Sequence, residues 1–378
     1  MNAPVCTRRD AVRQFSAISA ITLVSGFGFG AGCIQSGASK LQVTARTFGT
    51  LSNGRAVQLY TLTNSQGHRV SVMDLGATIT EWQVPDKAGK LDSIVIGGDT
   101  LEEFTRGVPS ASVIGRYANR IRNARFTLDG KTYSVTANSG PHHIHGGREG
   151  FASKVWNSRG GSDSRRAWVE LTYRSINGEE GYPGNLDVQV RYMLTETNTL
   201  EIDYRATTDQ PTIVNLTNHA YFNLSGSGSA LDHELQILGG HYTPSDSFLI
   251  PTGDVASVAG TPLDFTQPHR IGERIQQIQG PSGYDHNYIL DTPPGKLRRA
   301  ARVVDRASGR TLECLTDEPG VQLYTANHFS SLKHPKHGAF CLETQHYPDS
   351  PNLPQFPSTV VRPGKAYRSR THFKAGLI

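Results

Sequence analysis

The feature that most constrains this chain is an alternation of apolar and polar residues with a period of two. It runs through most of the sequence after Lys40, for example in 57–60 (VQLY), 168–173 (WVELTY), 186–190 (LDVQV) and 200–204 (LEIDY). Successive side chains of a β-strand point to opposite faces, so this period gives each segment one apolar face for a core. β-branched and aromatic residues, which favour strands, are frequent in the same segments.

Short turn signals separate these segments, as hairpins require. They are Ser52-Asn53-Gly54, Asp129-Gly130, Ile176-Asn177-Gly178 and Ser308-Gly309. Helical patterns are scarce, and the best candidate is 269–279, just after Pro268. Because no Pro/Gly/Ser-rich linker or fixed repeat divides the body, the sequence predicts an all-β fold over 41–378. It would be a large antiparallel β-sandwich with few short helices.

Composition and charge exclude two broad classes of protein. Of the 378 residues, 37% are hydrophobic and 19% are charged, which is too apolar and too weakly charged for a disordered chain. The net charge of +5 falls to +2 when residues 1–40 are set aside, and the remainder contains no basic run. This argues against a nucleic-acid-binding protein that follows a phosphate backbone.

Residues 1–40 have the layout of an export signal. A basic region ending at Arg13 precedes the apolar stretch 15–29 (FSAISAITLVSGFGF), and no charged residue occurs in 14–39. The pair Arg8-Arg9 resembles a twin-arginine signal, although Ala11 stands where such signals usually carry Phe. We therefore expect an exported, periplasmic protein. The alternative is an uncleaved anchor helix, for which the apolar stretch is short.

Two cleavage sites remain open. Ala31-Gly32-Cys33 resembles the end of a lipobox, which would leave Cys33 lipidated and the protein tethered to a membrane, but Gly30 stands where Leu is usual. The competing site lies after Ala38, with Ser36 and Ala38 as the small pair.

The body contains two cysteines, Cys314 and Cys341. Export would permit a disulfide between them. Two buried thiols in strands is the commoner outcome, and it is the one we expect. No CxxC or Cys/His spacing indicates a zinc site.

Four segments are unusually rich in polar residues, and each has a structural and a functional interpretation. They are 115–121 (GRYANRI), 140–147 (GPHHIHGG), 215–224 (NLTNHAYFNL) and 341–352 (CLETQHYPDSPN). His143 and His145 would share a strand face and could bind a metal, but a third ligand is not evident. A lone histidine such as His219 is more often a satisfied core or surface residue. Glu343 ends an apolar run, so it either forms a structural pair or takes part in chemistry.

These segments, with three others, resemble the aldose 1-epimerases, also called galactose mutarotases. The likeness extends from about Leu41 to the C-terminus and comprises seven motifs in order. They are 75–80 (LGATIT), 115–121 (GRYANRI), 145–147 (HGG) followed by 150–151 (GF), 178–184 (GEEGYPG), 218–224 (NHAYFNL), 283–287 (GYDHN) and 343–352 (ETQHYPDSPN). No single motif is specific, but seven in the right order are.

The resemblance implies a β-supersandwich with an open sugar-binding cleft. By analogy, Glu343 would be the general base and His219 the general acid that interconvert the α and β anomers of free aldohexoses such as galactose and glucose. The positions that would line the sugar site are Asn119, Arg120, His145, Asp285 and Gln322. The reaction opens and recloses a hemiacetal ring, so it needs no metal, nucleotide or other cofactor, and a monosaccharide is the one partner implied.

Two alternatives from other classes remain. In a non-catalytic carbohydrate-binding sandwich, His219 and Glu343 would serve only as hydrogen-bonding groups. A glycan-cleaving enzyme would need two carboxylates flanking the scissile bond, and Glu343 with Asp285 could be that pair. The presence of both a histidine and a glutamate in matching motifs favours the epimerase.

Overall fold

Antiparallel strands make up most of the chain. The computed structural model describes residues 41–108, 110–278, 282–291, 293–331 and 333–378. The predicted export segment, with Cys6 and Cys33, lies outside the described residues. Within them the strands, β1 to β27 in chain order, are Gln42–Thr50, Ala56–Thr63, Arg69–Met73, Thr78–Pro85, Leu91–Ser93, Val113–Ile114, Arg120–Ile121, Arg125–Leu128, Lys131–Ser134, His143–Ile144, Asn157–Ser162, Arg166–Ser175, Leu186–Thr195, Thr199–Thr208, Thr212–Ile213, Thr217–Asn218, Glu234–Ile237, His241–Tyr242, Ala256–Ser257, His269–Arg270, Asp285–Ile289, Arg298–Val304, Arg310–Thr316, Gly320–Tyr324, Cys341–Gln345, Val360–Val361 and Tyr367–Leu377.

Three larger sheets organise these strands. The first runs β1-β2-β3-β4-β5, and the second, of nine strands, runs β11-β12-β13-β14-β27-β23-β22-β17-β20. The third runs β19-β18-β21-β24-β25. Two-stranded ladders join β10 to β7, β15 to β26, β16 to β6 and β8 to β9.

The main core draws side chains from all three sheets. Leu200, Ile202 and Tyr204 of β14 are buried and alternate with more exposed neighbours, as the period of two predicts. They belong to one apolar cluster with Val72 of the first sheet and Leu323 of the third. Each such buried side chain stabilises the fold by about 1.5–3 kcal/mol. The predicted antiparallel β-sandwich is confirmed, and the four predicted turns all fall between strands.

The predicted helix in 269–279 is wrong. This region forms β20 and two short 3₁₀ turns, Ile271–Glu273 and Ile275–Gln277, and Gln279 lies outside the described residues. The backbone N–H groups of Ile271 and Gly272 donate to carbonyls of the segment that precedes β17, at 2.9 and 2.8 Å. The pairing of β20 with β17 and these tertiary bonds hold the first part of the segment in place. In the second part, the N–H groups of Gln277 and Ile278 donate to carbonyls three residues earlier, at 2.9 and 3.2 Å, instead of four residues earlier as in an α-helix.

Other helical structure is brief. Among the described residues one α-helix, α1, spans Leu101–Thr105 and begins with a capping box between Thr100 and Glu103. The remaining 3₁₀ turns are Arg122–Ala124, Phe151–Ser153, Glu179–Gly181 and Ser350–Asn352. In the part of the chain that the structure describes, no helix combines the length and apolarity that a membrane span requires.

The two cysteines of the body are separate buried thiols, as expected. Cys314 lies in β23 within the main apolar cluster. Cys341 opens β25 and faces a different environment, described below.

Candidate active site

Three neighbouring strands of the third sheet align a set of polar side chains. In the ladder between β24 and β25, Tyr324 pairs with Cys341 and Gln322 pairs with Glu343. In the ladder between β21 and β24, Asp285 pairs with Tyr324. Because paired residues and residues two apart share one face of a sheet, these five side chains lie on the same face.

The opposite face of the same strands packs into the core. Val321, Leu323 and Leu342 alternate with the polar residues and belong to the main apolar cluster. Their burial anchors β24 and β25, and the period of two then directs Glu343 and its neighbours away from the core and toward a cleft.

His219 reaches this face from the ladder between β16 and β6. It follows Asn218, and its backbone N–H donates to the carbonyl of Ser112 at 3.0 Å. Its Nε2 lies 3.4 Å from Oε1 of Glu343. Its Nδ1 lies 3.5 Å from Sγ of Cys341, and its ring stacks on Tyr221 with centroids 4.8 Å apart.

The two-stranded ladder of β7 and β10 supplies the opposite wall. The backbone N–H of Asn119 donates to Nδ1 of His145 at 3.1 Å, and the N–H of His145 returns to the carbonyl of Asn119 at 3.1 Å. Gly146 follows with φ +83°, and a Cβ there would lie 1.8 Å from the carbonyl oxygen of Gly115. Only glycine fits this close approach, which holds His145 against the cleft.

Asp285 is the centre of a small polar network. Nε2 of Gln322 donates to its Oδ1 at 2.6 Å, and Nη2 of Arg120 lies 3.5 Å from its Oδ2. Arg120 also donates to Oδ1 of Asn119 at 3.4 Å. These contacts hold a carboxylate and a guanidinium beside the histidine–glutamate pair.

The carboxyl of Glu343 has a perturbed environment. Burial raises its pKa, and the charge of Asp285 raises it further, whereas His219 and Arg120 act to lower it. Its Oε2 is buried and has no hydrogen-bond partner among the described residues. An unpartnered oxygen on a carboxylate of raised pKa is suited to accept a proton from a bound molecule.

His145 is held in its neutral form. Burial lowers its pKa well below the ordinary value, and the charges of His219 and Arg120 act in the same direction. Because its Nδ1 accepts a hydrogen bond from the Asn119 backbone, the ring proton sits on Nε2. His145 therefore presents a hydrogen-bond donor to the cleft.

The side chains do not favour a metal site. One ligand atom each from His145, His219 and Glu343 lies within 4.8 Å of the others. In the tautomer that the Asn119 bond imposes, however, Nε2 of His145 carries a proton and has no lone pair for a metal. His143, the other candidate ligand, is bonded elsewhere, to Tyr182 at 2.6 Å and to the Thr136 carbonyl at 2.7 Å.

The residues enclose a cavity of about 200 Å³, below the range typical of drug-sized ligands and suited to a small one. Six of the seven predicted site residues line it, and the seventh, Gln322, is joined to it by the hydrogen bond that it donates to Asp285. The lining residues are Asn119, Arg120, Ile144, His145, His219, Tyr221, Asp285, Tyr324, His328 and Glu343.

Four lining residues were not predicted. Tyr221 and Tyr324 each lie two positions beyond a predicted residue, so the period of two could have placed them on the same face. Ile144 and the exposed His328 carried no comparable signal. A groove of about 610 Å³ continues outward past Tyr221, Tyr324 and His328.

Comparison with known proteins finds similar sequences and structures over most of the chain. The sequence model of the aldose 1-epimerase family matches residues 58–374. The galactose mutarotases of Bos taurus and Homo sapiens are each 43% identical, over 88% of this chain and 98% of theirs. The aldose 1-epimerase of Escherichia coli strain K12 is 35% identical, over 85% and 96%. The solved galactose 1-epimerase of Lactobacillus acidophilus superposes with a TM-score of 0.79 at 28% identity, over 89% and 99%.

Proposed function

This chain belongs to the aldose 1-epimerase family, and we propose that it interconverts the α and β anomers of free aldohexoses, galactose and glucose among them. We assign the proton transfers to Glu343 and His219. The observation that supports this assignment most directly is the 3.4 Å approach of His219 Nε2 to Glu343 Oε1 in a small polar cavity.

The pair suits the bond changes of the reaction. Glu343, ionised, takes the proton from the hydroxyl on C1, while protonated His219 gives its Nε2 proton to the ring oxygen O5. The C1–O5 bond breaks and leaves an open-chain aldehyde. Rotation about C1–C2 exposes the other face of the carbonyl, and the two residues reverse their roles during closure. Because both oxygens are bonded to C1, two converging side chains are sufficient.

The surrounding groups would hold the sugar over this pair. His145 offers an N–H donor, Arg120 offers guanidinium donors and Asp285 offers carboxylate acceptors, which together match the hydroxyl groups of a sugar. Gln322 positions Asp285. Fixing the ring in this way lowers the entropic part of the barrier.

Polarimetry tests the proposal. Protein is added to freshly dissolved α-D-galactose, then to α-D-glucose, and the approach to anomeric equilibrium is compared with buffer and with Glu343→Gln. We expect acceleration by the wild type that is lost in the variant. If the wild type binds the sugar yet changes rotation no faster than buffer, the chain is a sugar binder and the proposal is wrong.

We also propose export to the periplasm. The support is sequence alone: Arg8-Arg9, the apolar stretch 15–29 and the small residues that follow. Fractionation of bacteria expressing the full chain should place it in the periplasm, and Arg8→Lys with Arg9→Lys should retain it in the cytoplasm. Unchanged periplasmic recovery in that double variant would refute the twin-arginine route.

Lipidation of Cys33 is the finer proposal, since it depends on where the signal is cut. Cells given a labelled fatty acid should incorporate label into the full chain and not into Cys33→Ala. Cleavage after Ala38, read by N-terminal sequencing of the exported protein, would exclude the tether.

A further inference from the structure

We infer that Cys341 is a positioning residue for the reaction: its thiol holds the ring of His219 as the uncharged hydrogen-bond partner of Nδ1. The inference rests on the proposed role of His219 as general acid. Cys341 contacts the proposed general acid directly, whereas the sequence alone predicts only a buried cysteine in a strand.

The geometry places the thiol where an orienting group belongs. Sγ of Cys341 lies 3.5 Å from Nδ1 of His219, and Nε2 of the same ring faces Glu343 at 3.4 Å. Both residues are buried, Cys341 completely. A histidine that transfers a proton at one ring nitrogen is oriented by what its other nitrogen contacts.

One strand thereby holds both partners of the histidine. Cys341 and Glu343 are two residues apart in β25, so they share a face, and Leu342 between them packs into the core. The thiol and the carboxylate therefore keep a fixed spacing along the strand. The imidazole of His219 lies between them, with Nδ1 against the thiol and Nε2 against the carboxylate.

Other groups surround the ring without occupying Nδ1. Tyr221 stacks on it at 4.8 Å, and His145 and Tyr324 meet it edge-on with centroids 5.3 and 6.2 Å away. These contacts fix the plane of the ring. Among the described residues, the hydrogen-bond partner of Nδ1 is the sulfur.

A thiol in this place differs chemically from a carboxylate. Burial raises the pKa of Cys341 well above its ordinary value, and the charges of Glu343 and Asp285 add to this, so the sulfur keeps its proton. A neutral thiol can accept weakly from Nδ1–H of a charged ring and can donate to Nδ1 of a neutral one. A carboxylate would stabilise the charged ring strongly and hold back the proton that O5 must receive.

The test compares two substitutions of Cys341 by polarimetry across pH. In Cys341→Ala the charged ring has a buried N–H without an acceptor, so the alkaline limb of kcat/KM should move to lower pH. We expect kcat to fall about tenfold while KM changes less than twofold. In Cys341→Ser the hydroxyl is a better acceptor than sulfur, so most of kcat should return and the limb should move to higher pH.

Cys314 provides the matched control. It is also a fully buried strand thiol, but it lies in the main apolar cluster. Cys314→Ala and Cys314→Ser should leave kcat, KM and both pH limbs as in the wild type, because Cys314 does not contact the candidate site. A change in these variants would show that the loss of a buried thiol acts on the reaction through packing alone.

Three results would overturn the inference. They are an unchanged kcat and pH profile in Cys341→Ala, a limb that moves in the same direction in both Cys341 variants, and equal changes in the Cys314 controls. If Cys341→Ala does not fold, Cys341→Ser alone tests the inference. An unshifted alkaline limb of kcat/KM in Cys341→Ser would contradict the positioning role of Cys341. A wild type that fails to accelerate mutarotation refutes the proposed function instead, so the two failures are distinguishable.

Discussion

Replacing Glu343 with glutamine separates the chemistry of the site from its shape. The amide oxygen can occupy the place of Oε1, 3.4 Å from Nε2 of His219, but an amide cannot take the proton from O1. Loss of a general base typically costs a factor of 10²–10⁴, which corresponds to about 3 to 5 kcal/mol of transition-state stabilisation. We expect this loss in kcat, with KM changed far less because the hydroxyl-binding groups remain.

The same substitution should make the protein more stable at neutral pH. The pKa of Glu343 is raised above its unfolded value of 4.5, chiefly by burial. Between the two values the folded chain binds more protons than the unfolded chain, so the wild type loses stability as pH rises through this interval. The glutamine variant does not lose stability in this way, so the amount by which its unfolding free energy exceeds that of the wild type should grow from pH 4 to pH 7.

Two measurements check this reasoning. Initial rates of optical rotation with freshly dissolved α-D-glucose, corrected for the buffer rate, give kcat and KM for both proteins. Urea unfolding at pH 4 and pH 7 gives the difference in unfolding free energy. A kcat within threefold of the wild type would refute Glu343 as the base, and an equal stability difference at both pH values would refute its raised pKa.

Three further predictions concern Asp285, Gly146 and the pair of His346 with Glu318. Asp285→Asn removes a charge that raises the pKa of the base, so the acid limb of kcat/KM should move to lower pH; an unmoved limb contradicts this. Gly146→Ala places a Cβ 1.8 Å from a backbone oxygen and should lower kcat/KM at least tenfold, whereas Gly130→Ala, at φ +76° with open space, should retain activity. His346→Gln unpairs buried Glu318, whose Oε2 lies 2.6 Å from Nδ1, and should lower the unfolding free energy by about 3 kcal/mol. The pKa of His346 is raised and that of Glu318 is lowered, so the loss of unfolding free energy should be fully present between pH 4.5 and 6.5. It should fade as the pH rises through the raised pKa of His346, and also as the pH falls through the lowered pKa of Glu318.

The strands were predictable because their signals are local. Segment 200–204 alternates in sequence and in burial, since a strand with one face in a core needs no distant information to show its period. The region 269–279 was not predictable in this way. Its spacing permits a helix, but His269 and Arg270 pair as β20 with the distant strand β17, and no local pattern reveals that competing partner.

The candidate site was predictable through motifs and incompletely through periodicity. Glu343 and Gln322 were identified by resemblance, and the ladder that pairs them was not. The period of two within β24 is enough to place Tyr324 on the face of Gln322, whereas the position of Tyr324 opposite Cys341 depends on the register of β24 and β25. Register is a property of two strands together, so a single strand's alternation indicates a face but not the residue opposite.

Cys314 and Cys341 show where sequence reasoning ends. Both are cysteines in buried strands, and the sequence supports the same expectation for each. The structure separates them through a contact between residues 122 positions apart, Cys341 Sγ with His219 Nδ1, which depends on how β16 and β25 meet. A buried thiol is inert in an apolar cluster, whereas beside an imidazole it can orient the ring, so its role is decided by its neighbour rather than by its own burial.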